Sequence, residues 1–138
     1  MILQSTPVLF VETIAPSEEF FARLGFDRTV SVPEDGTPHF VILSAGGVGG
    51  NDGVGIMLQT YQAAEDDVTE LPPEAFRQHS HLFMAVADLD AAEKLLTGHT
   101  VFMPRRDTFY GATEIGWREP GGHYITLAQF AANTPDEA

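Results

Sequence analysis

The chain has 138 residues, 43% of them hydrophobic, enough for one compact domain or two small modules sharing a core and too few for two independent domains. Its 20 acidic residues against 7 basic ones give a formal charge of −13, which repels a phosphate backbone and an anionic lipid surface, so neither nucleic acid nor a membrane is an expected partner. There is no cysteine, which removes disulfides, thiolate metal sites and cysteine nucleophiles.

No apolar run reaches the length of about 18 residues that a spanning helix needs, and "MILQSTPVLFVETIAP" lacks the basic flank and cleavage pattern of a signal peptide. A soluble, cytoplasmic protein is expected. The acidity would attract a cationic small molecule, or it simply solvates the surface.

In chain order, "TPVLFVETIAPSEEFFARLGF" from Thr6 reads as a strand, a polar turn and a short amphipathic helix. Ser17 after Pro16 is the expected helix cap, Glu18 and Glu19 suit its N-terminal end, Phe20, Phe21 and Leu24 form the buried stripe, and Gly25 ends it. Strands are expected at Arg28 to Val32, His39 to Ser44 and Gly55 to Tyr61. The glycines of "SAGGVGGNDGVG" join two strands, so they make a hairpin loop and not the strand-to-helix turn of a phosphate site. The acidic stretch from Gln62 to Ser80, which contains prolines, reads as a linker.

"HLFMAVADLDAAEKLLTGHT" from His81 repeats the grammar. Asp88 or Asp90 caps its helix, Leu89, Ala92, Leu95 and Leu96 form the stripe, and Gly98 stops it. Strands follow at Thr100 to Met103, Thr113 to Arg118 and His123 to Gln129. The expected architecture is α+β, a βαβββ module over about 6–61 and a second over about 81–130, joined by the linker 62–80.

Side chains alternate faces along a strand, so parity sorts them. The aliphatic, helix-covered face takes Leu9, Val11, Ile56, Leu58, Leu82, Met84, Val86, Ile125 and Leu127. The other face takes Thr6, Val8, Phe10, Met57, Gln59, His81, Phe83, Ala85, Tyr124, Thr126 and Ala128. With "EPGG" as the hairpin loop, Trp117 falls opposite Tyr124 and Ile115 opposite Thr126, adding both to this second face. Such an aromatic face with a few polar groups suits either a ligand cavity or packing against a partner sheet.

Three segments, "VLFVETIAPSEEFFARLGF", "HLFMAVADLDAA" and "FYGATEIGWREPGGHYITLAQF", resemble the vicinal oxygen chelate superfamily of glyoxalase I, fosfomycin resistance proteins, extradiol dioxygenases and bleomycin resistance proteins. The resemblance implies two βαβββ modules whose curved mixed sheets form a cleft, usually within a homodimer. It also implies metal ligands on the cleft side of the first and last strands of each module. Carried over, those positions fall on Thr6, Met57, His81 and Thr126. A threonine hydroxyl and a thioether are poor ligands for Zn²⁺, Fe²⁺ or Mn²⁺, and one imidazole does not hold such an ion against water. No metal and no other cofactor is therefore expected.

His81 is either a hydrogen-bonding or general-base group in the cleft or a strand-end histidine capped by the backbone. Trp117, Tyr124, Phe10 and Phe83 either stack a flat ligand or fill a core. His123 should face away from the cleft. Arg105 and Arg106 of "MPRRD" either receive an anionic group or pair with Asp107 at the surface. The expected ligand-binding set is Thr6, Phe10, Met57, Gln59, His81, Phe83, Ile115, Trp117, Tyr124 and Thr126. The expected function resembles the bleomycin resistance branch, in which a small aromatic or cationic molecule is bound in an apolar cleft without a metal. The alternative is a lyase, isomerase or dioxygenase-type enzyme with an unusual metal site or with His81 as base.

Overall fold

The structure, a computed structural model, describes residues 1–46 and 53–131. The chain divides into two compact units, Met1–Gln78 and His79–Ala138. Most of the glycine loop read between Ser44 and Gly55 lies outside the described residues.

The first unit runs β1 (Val8–Val11), α1 (Ile14–Arg23), β2 (Asp27–Val32), β3 (Phe40–Ala45), β4 (Val54–Thr60) and α2 (Tyr61–Asp67), then a 3-10 turn at Pro73–Phe76. Its four-stranded sheet has the order β1-β4-β3-β2, with β1 parallel to β4 and the other pairs antiparallel. Helix α1 packs on β3 and β4, and beneath it lie the expected Leu9, Val11, Ile56 and Leu58, joined by Val41 and Leu43 of β3. Leu9, Val11, Val41, Leu43, Ile56 and Leu58 are buried there with Phe20 and Phe21, each contributing about 1.5–3 kcal/mol of burial.

Two details differ from the sequence reading. Helix α1 begins at Ile14, three residues before Ser17, because Ile14 joins the buried stripe and Pro16 fits the first turn, where backbone N–H groups lack helical partners. Ser17 is thus a buried helix residue and not a cap, and its hydroxyl makes no hydrogen bond among the described residues. Glu18 instead holds Arg28, and Glu19 pairs with Arg23. Gly25 does end the helix, at φ +95°, a conformation that side chains disfavour.

The segment read as a linker is partly folded onto the first unit. Thr60 Oγ1 caps α2 by accepting from Ala63 N at 3.2 Å, and the buried Phe76 meets Phe10 edge-on with ring centroids 5.1 Å apart. Arg77 lies over the Tyr61 ring and pairs with Glu65.

The second unit repeats the pattern: β5 (His81–Ala85), α3 (Leu89–Leu95), β6 (Thr100–Asp107), β7 (Ala112–Arg118) and β8 (Tyr124–Phe130), in the order β5-β8-β7-β6. The expected α+β class with two βαβββ modules, each a mixed sheet, is what the chain forms. Asp88 is the cap of α3, accepting from Ala91 N at 3.0 Å, and Leu89, Ala92 and Leu96 are buried. Leu95, expected in the stripe, is instead 49% exposed. Among the described residues, no helix is long and apolar enough to cross a membrane.

The β7–β8 hairpin overturns one expectation. Arg118, not Trp117, stands opposite Tyr124, so Trp117 meets Ile125 and Ile115 meets Leu127. The loop is one residue longer than "EPGG" because Glu119 turns inward and holds it, its carboxylate accepting from Gly121 N at 2.7 Å and His123 N at 3.2 Å. Since the side-chain period is two, this shift moves Ile115 and Trp117 onto the helix-covered face, where α3 packs on β7 and β8 and both are buried.

Candidate functional site

The face of the second sheet turned away from α3 carries His81 and Phe83 from β5, Tyr124, Thr126 and Phe130 from β8, and Glu114, Gly116 and Arg118 from β7. Strand β6 adds Phe102 and Arg106, and two one-residue bulges decide how. Val101 pairs with Trp117 but Met103 with Gly116, and then Arg106 with Glu114. Without the second bulge Arg105 would stand opposite Glu114. With it, Arg106 faces Glu114 while Arg105 turns to Asp90 and Glu93 of α3.

Phe102 lies flat enough on the sheet that Gly116 has no room for a side chain, since an added Cβ would come within 2.5 Å of the ring. Phe102, Tyr124 and His81 form an aromatic group, with the Phe102 ring 5.1 Å from Tyr124 and 5.8 Å from His81. Arg118 places its guanidinium over the Tyr124 ring at 5.6 Å. A second group joins Phe83, Phe130, Tyr110 and Phe109 through ring contacts of 6.2, 6.0 and 5.1 Å. Phe83 is 51% exposed and Phe102 39%, so both groups present ring surface to solvent.

Polar side chains stand among these rings. His81 Nε2 and Thr126 Oγ1 are 2.7 Å apart, with His81 exposed and Thr126 buried. Glu114 is buried, yet both carboxylate oxygens are occupied: Oε1 accepts from Arg106 Nε and Nη2 at 3.0 and 2.7 Å, and Oε2 accepts from the Tyr110 hydroxyl at 2.5 Å. Burial works against the charged carboxylate, but the hydrogen bonds from Tyr110 and Arg106, with the charges of Arg106 and His81, outweigh it and hold Glu114 below its ordinary value. The bond to Glu114, burial and the carboxylate charge raise the Tyr110 hydroxyl above its ordinary value.

Of the expected ligand-binding residues, His81, Phe83, Tyr124 and Thr126 share this face. Ile115 and Trp117 do not, for the register reason given above. Thr6, Phe10, Met57 and Gln59 belong to the first unit, where Val8 pairs with Met57 and Phe10 with Gln59 on the side opposite α1. Phe10 is half-buried and in contact with Phe76, and Thr6 Oγ1 accepts from the Gln4 amide at 3.2 Å. A hollow of about 350 Å³ in the first unit, lined by His39, Thr60, Gln62, Ala63, Asp66 and Asp67, includes none of the expected residues.

Tyr110 and Phe102 were not foreseen in this site, Glu114 was not placed near His81, and Arg106 was expected either to receive an anionic group or to pair with Asp107 at the surface. The alternation of "ATEIGWR" was the available signal, because it segregates Ile115 and Trp117 from Glu114 and Gly116. Asp107, the expected partner of the arginines, instead accepts from Thr113 Oγ1. His123 is off the open face as expected, buried, with Nδ1 accepting from Ser80 N at 2.9 Å and tying the start of β5 to the hairpin.

The donors do not fit a resident divalent ion. In the second unit the two positions implied by the resemblance are an imidazole and a hydroxyl already bonded to each other, and in the first they are Thr6 and Met57. Among the described residues, no group of three or more His, Asp or Glu side chains is placed to hold a metal.

No protein-family model matches the chain, and no curated protein matches it in sequence. Solved structures do match in fold. TioX from Micromonospora sp. ML1 is similar with a TM-score of 0.71 at 15% identity, over 92% of this chain and 98% of that one. A glyoxalase/bleomycin resistance protein/dioxygenase from Nocardioides is similar at 0.67 and 18% identity, over 98% and 90%. A member of the glyoxalase/bleomycin resistance protein/dioxygenase superfamily from Sphaerobacter thermophilus DSM 20745 is similar at 0.67 and 19%, over 94% and 98%. The chain therefore has the glyoxalase/bleomycin resistance fold.

Proposed function

We propose that the chain is a glyoxalase/bleomycin resistance-like protein, acting as a homodimer, that binds a small flat aromatic molecule without a metal. The observation that carries this reading is the grouping of Phe102, Tyr124 and His81 beside the exposed Phe83 on one sheet face. Ring stacking contributes about 0.5–1.5 kcal/mol per pair beyond burial, and exposed rings held by a sheet lose little freedom on binding. Phe102 takes the stacking role that the sequence suggested for Trp117. His81 and Thr126 orient the ligand by hydrogen bonding. The cationic ligand suggested by the net charge is less well supported at this face, whose paired strand residues include Arg106 and Arg118 against Glu114 alone.

The test is titration calorimetry with neutral bicyclic aromatics such as 2-naphthalenemethanol, on protein stripped with chelator. Saturable binding that Phe102→Ala and Tyr124→Ala weaken, and that Zn²⁺ or Mn²⁺ leaves unchanged, supports the reading. Binding that requires added metal overturns metal independence.

A second reading is catalytic. The His81 to Thr126 contact fixes one ring nitrogen and leaves Nδ1 as a base toward a bound substrate. Turnover that His81→Gln abolishes while ligand affinity is retained would favour it.

A further inference from the structure

We infer that Arg106 is an oxyanion-binding residue of this face, and that the ligand is an aromatic carboxylate whose ring lies on the Phe102 and Tyr124 group or on the neighbouring Phe83 and Phe130 group. The inference rests on the aromatic reading above and names the ligand's polar end.

Among the described residues, Arg106 uses only one edge of its guanidinium. Nε and Nη2 both donate to Glu114 Oε1, and Nη1 makes no hydrogen bond among the described residues. The Nη1 and Nη2 edge, whose two parallel N–H groups also match a carboxylate, remains available on a side chain that is 57% exposed. The other edge is fixed by a carboxylate that is itself buried and pinned by Tyr110. A guanidinium anchored in this way has already lost the rotamer freedom that a ligand would otherwise have to remove.

The β6 bulge gives the arrangement its direction. It brings one arginine of "MPRRD" to the open face and sends the other to α3, where Asp90 and Glu93 occupy it. Glu114 cancels the charge of Arg106, but Arg118 over the Tyr124 ring leaves the paired strand residues of this face net positive in a chain of formal charge −13. A ligand carboxylate meets an ordered donor pair here, whereas an ammonium meets two arginines and a carboxylate with both oxygens taken.

The experiment compares 2-naphthoate, 2-naphthalenemethanol and 2-naphthylmethylammonium by titration calorimetry against wild type, Arg106→Gln and Arg106→Lys, with folding checked by circular dichroism. Arg106→Lys keeps a charge beside Glu114 and so remains informative if Arg106→Gln does not fold. The expected result is naphthoate binding about tenfold tighter than the alcohol in wild type, an advantage lost in both variants while alcohol affinity is retained. Naphthoate binding no tighter than the alcohol, or an advantage that survives in the variants, overturns the assignment to Arg106 and leaves the aromatic face standing. Failure of all three compounds to bind overturns the aromatic reading and this inference with it.

Discussion

His81 Nε2 stands 2.7 Å from Thr126 Oγ1, so the residue at the last-strand ligand position that the resemblance implies serves to orient the histidine of β5. Thr126→Val keeps the branched shape and removes the hydroxyl. Because His81 is exposed, water replaces the lost partner, and stability should change by no more than about 1 kcal/mol. The ring should nonetheless lose its fixed orientation, which ¹⁵N shifts of the His81 imidazole report. Unchanged shifts in the variant would show that something else holds the ring.

Much of the fold could be read from the sequence because repetition and parity are local properties. "VLFVETIAP" and "HLFMAVADLD" each carry strand alternation followed by a turn, and the buried faces of β1, β4 and β8 came out as the aliphatic residues predict. Face assignment on β7 failed because it was carried across a hairpin, where the inward turn of Glu119 adds one residue to the loop. The pairing of Arg106 with Glu114 was hidden for a related reason: a bulge changes parity partway along β6, and nothing in "MPRRD" marks it.

Glu114 makes stability depend on acid. Its folded pKa lies below the ordinary 4.5, so its contribution is complete above that value and is lost as pH falls through the lower folded value. Glu114→Gln should therefore be less stable than wild type by about 2 kcal/mol near neutral pH. The gap should narrow as pH drops below 4.5, as urea unfolding across that range would show. A gap that stayed constant with pH would mean the carboxylate charge is not what Arg106 and Tyr110 stabilise.

Ser17 offers a gain in stability. Its hydroxyl is buried in α1 with no hydrogen bond among the described residues, and serine is a poorer helix former than alanine. Ser17→Ala should raise unfolding free energy by about 1 kcal/mol. A loss of stability in thermal or urea unfolding would mean that the hydroxyl makes a contribution through packing.

Gly116 reserves the space that Phe102 occupies. In Gly116→Ala the new Cβ would lie 2.5 Å from Phe102 Cζ and 3.1 Å from Met103 Cβ. The exposed ring can swing away, but Met103 Cβ is close to the backbone of β6, so a cost of about 1–3 kcal/mol is expected. Displacing Phe102 should also weaken binding of 2-naphthalenemethanol. A variant that binds it with wild-type affinity would remove Phe102 from the stacking site.

Glu119 holds the hairpin whose register sets which residues of β7 face α3. Its buried carboxylate accepts from Gly121 N and His123 N, and Glu119→Ala leaves both donors without that partner, a loss of about 2–3 kcal/mol. The larger consequence concerns register, since a hairpin loop shortened by one residue would carry every side chain of β7 to the opposite face. Trp117 is the sole tryptophan and is 1% exposed, so its fluorescence reports the outcome directly. Red-shifted emission in folded Glu119→Ala would mean that Trp117 has left its buried position, as a register slip requires. Native emission with reduced stability would show that burial of Trp117 and Ile115 beneath α3 selects the register by itself, with Glu119 only strengthening it. Glu119→Gln, which keeps one side-chain acceptor, should recover part of the lost stability in either case.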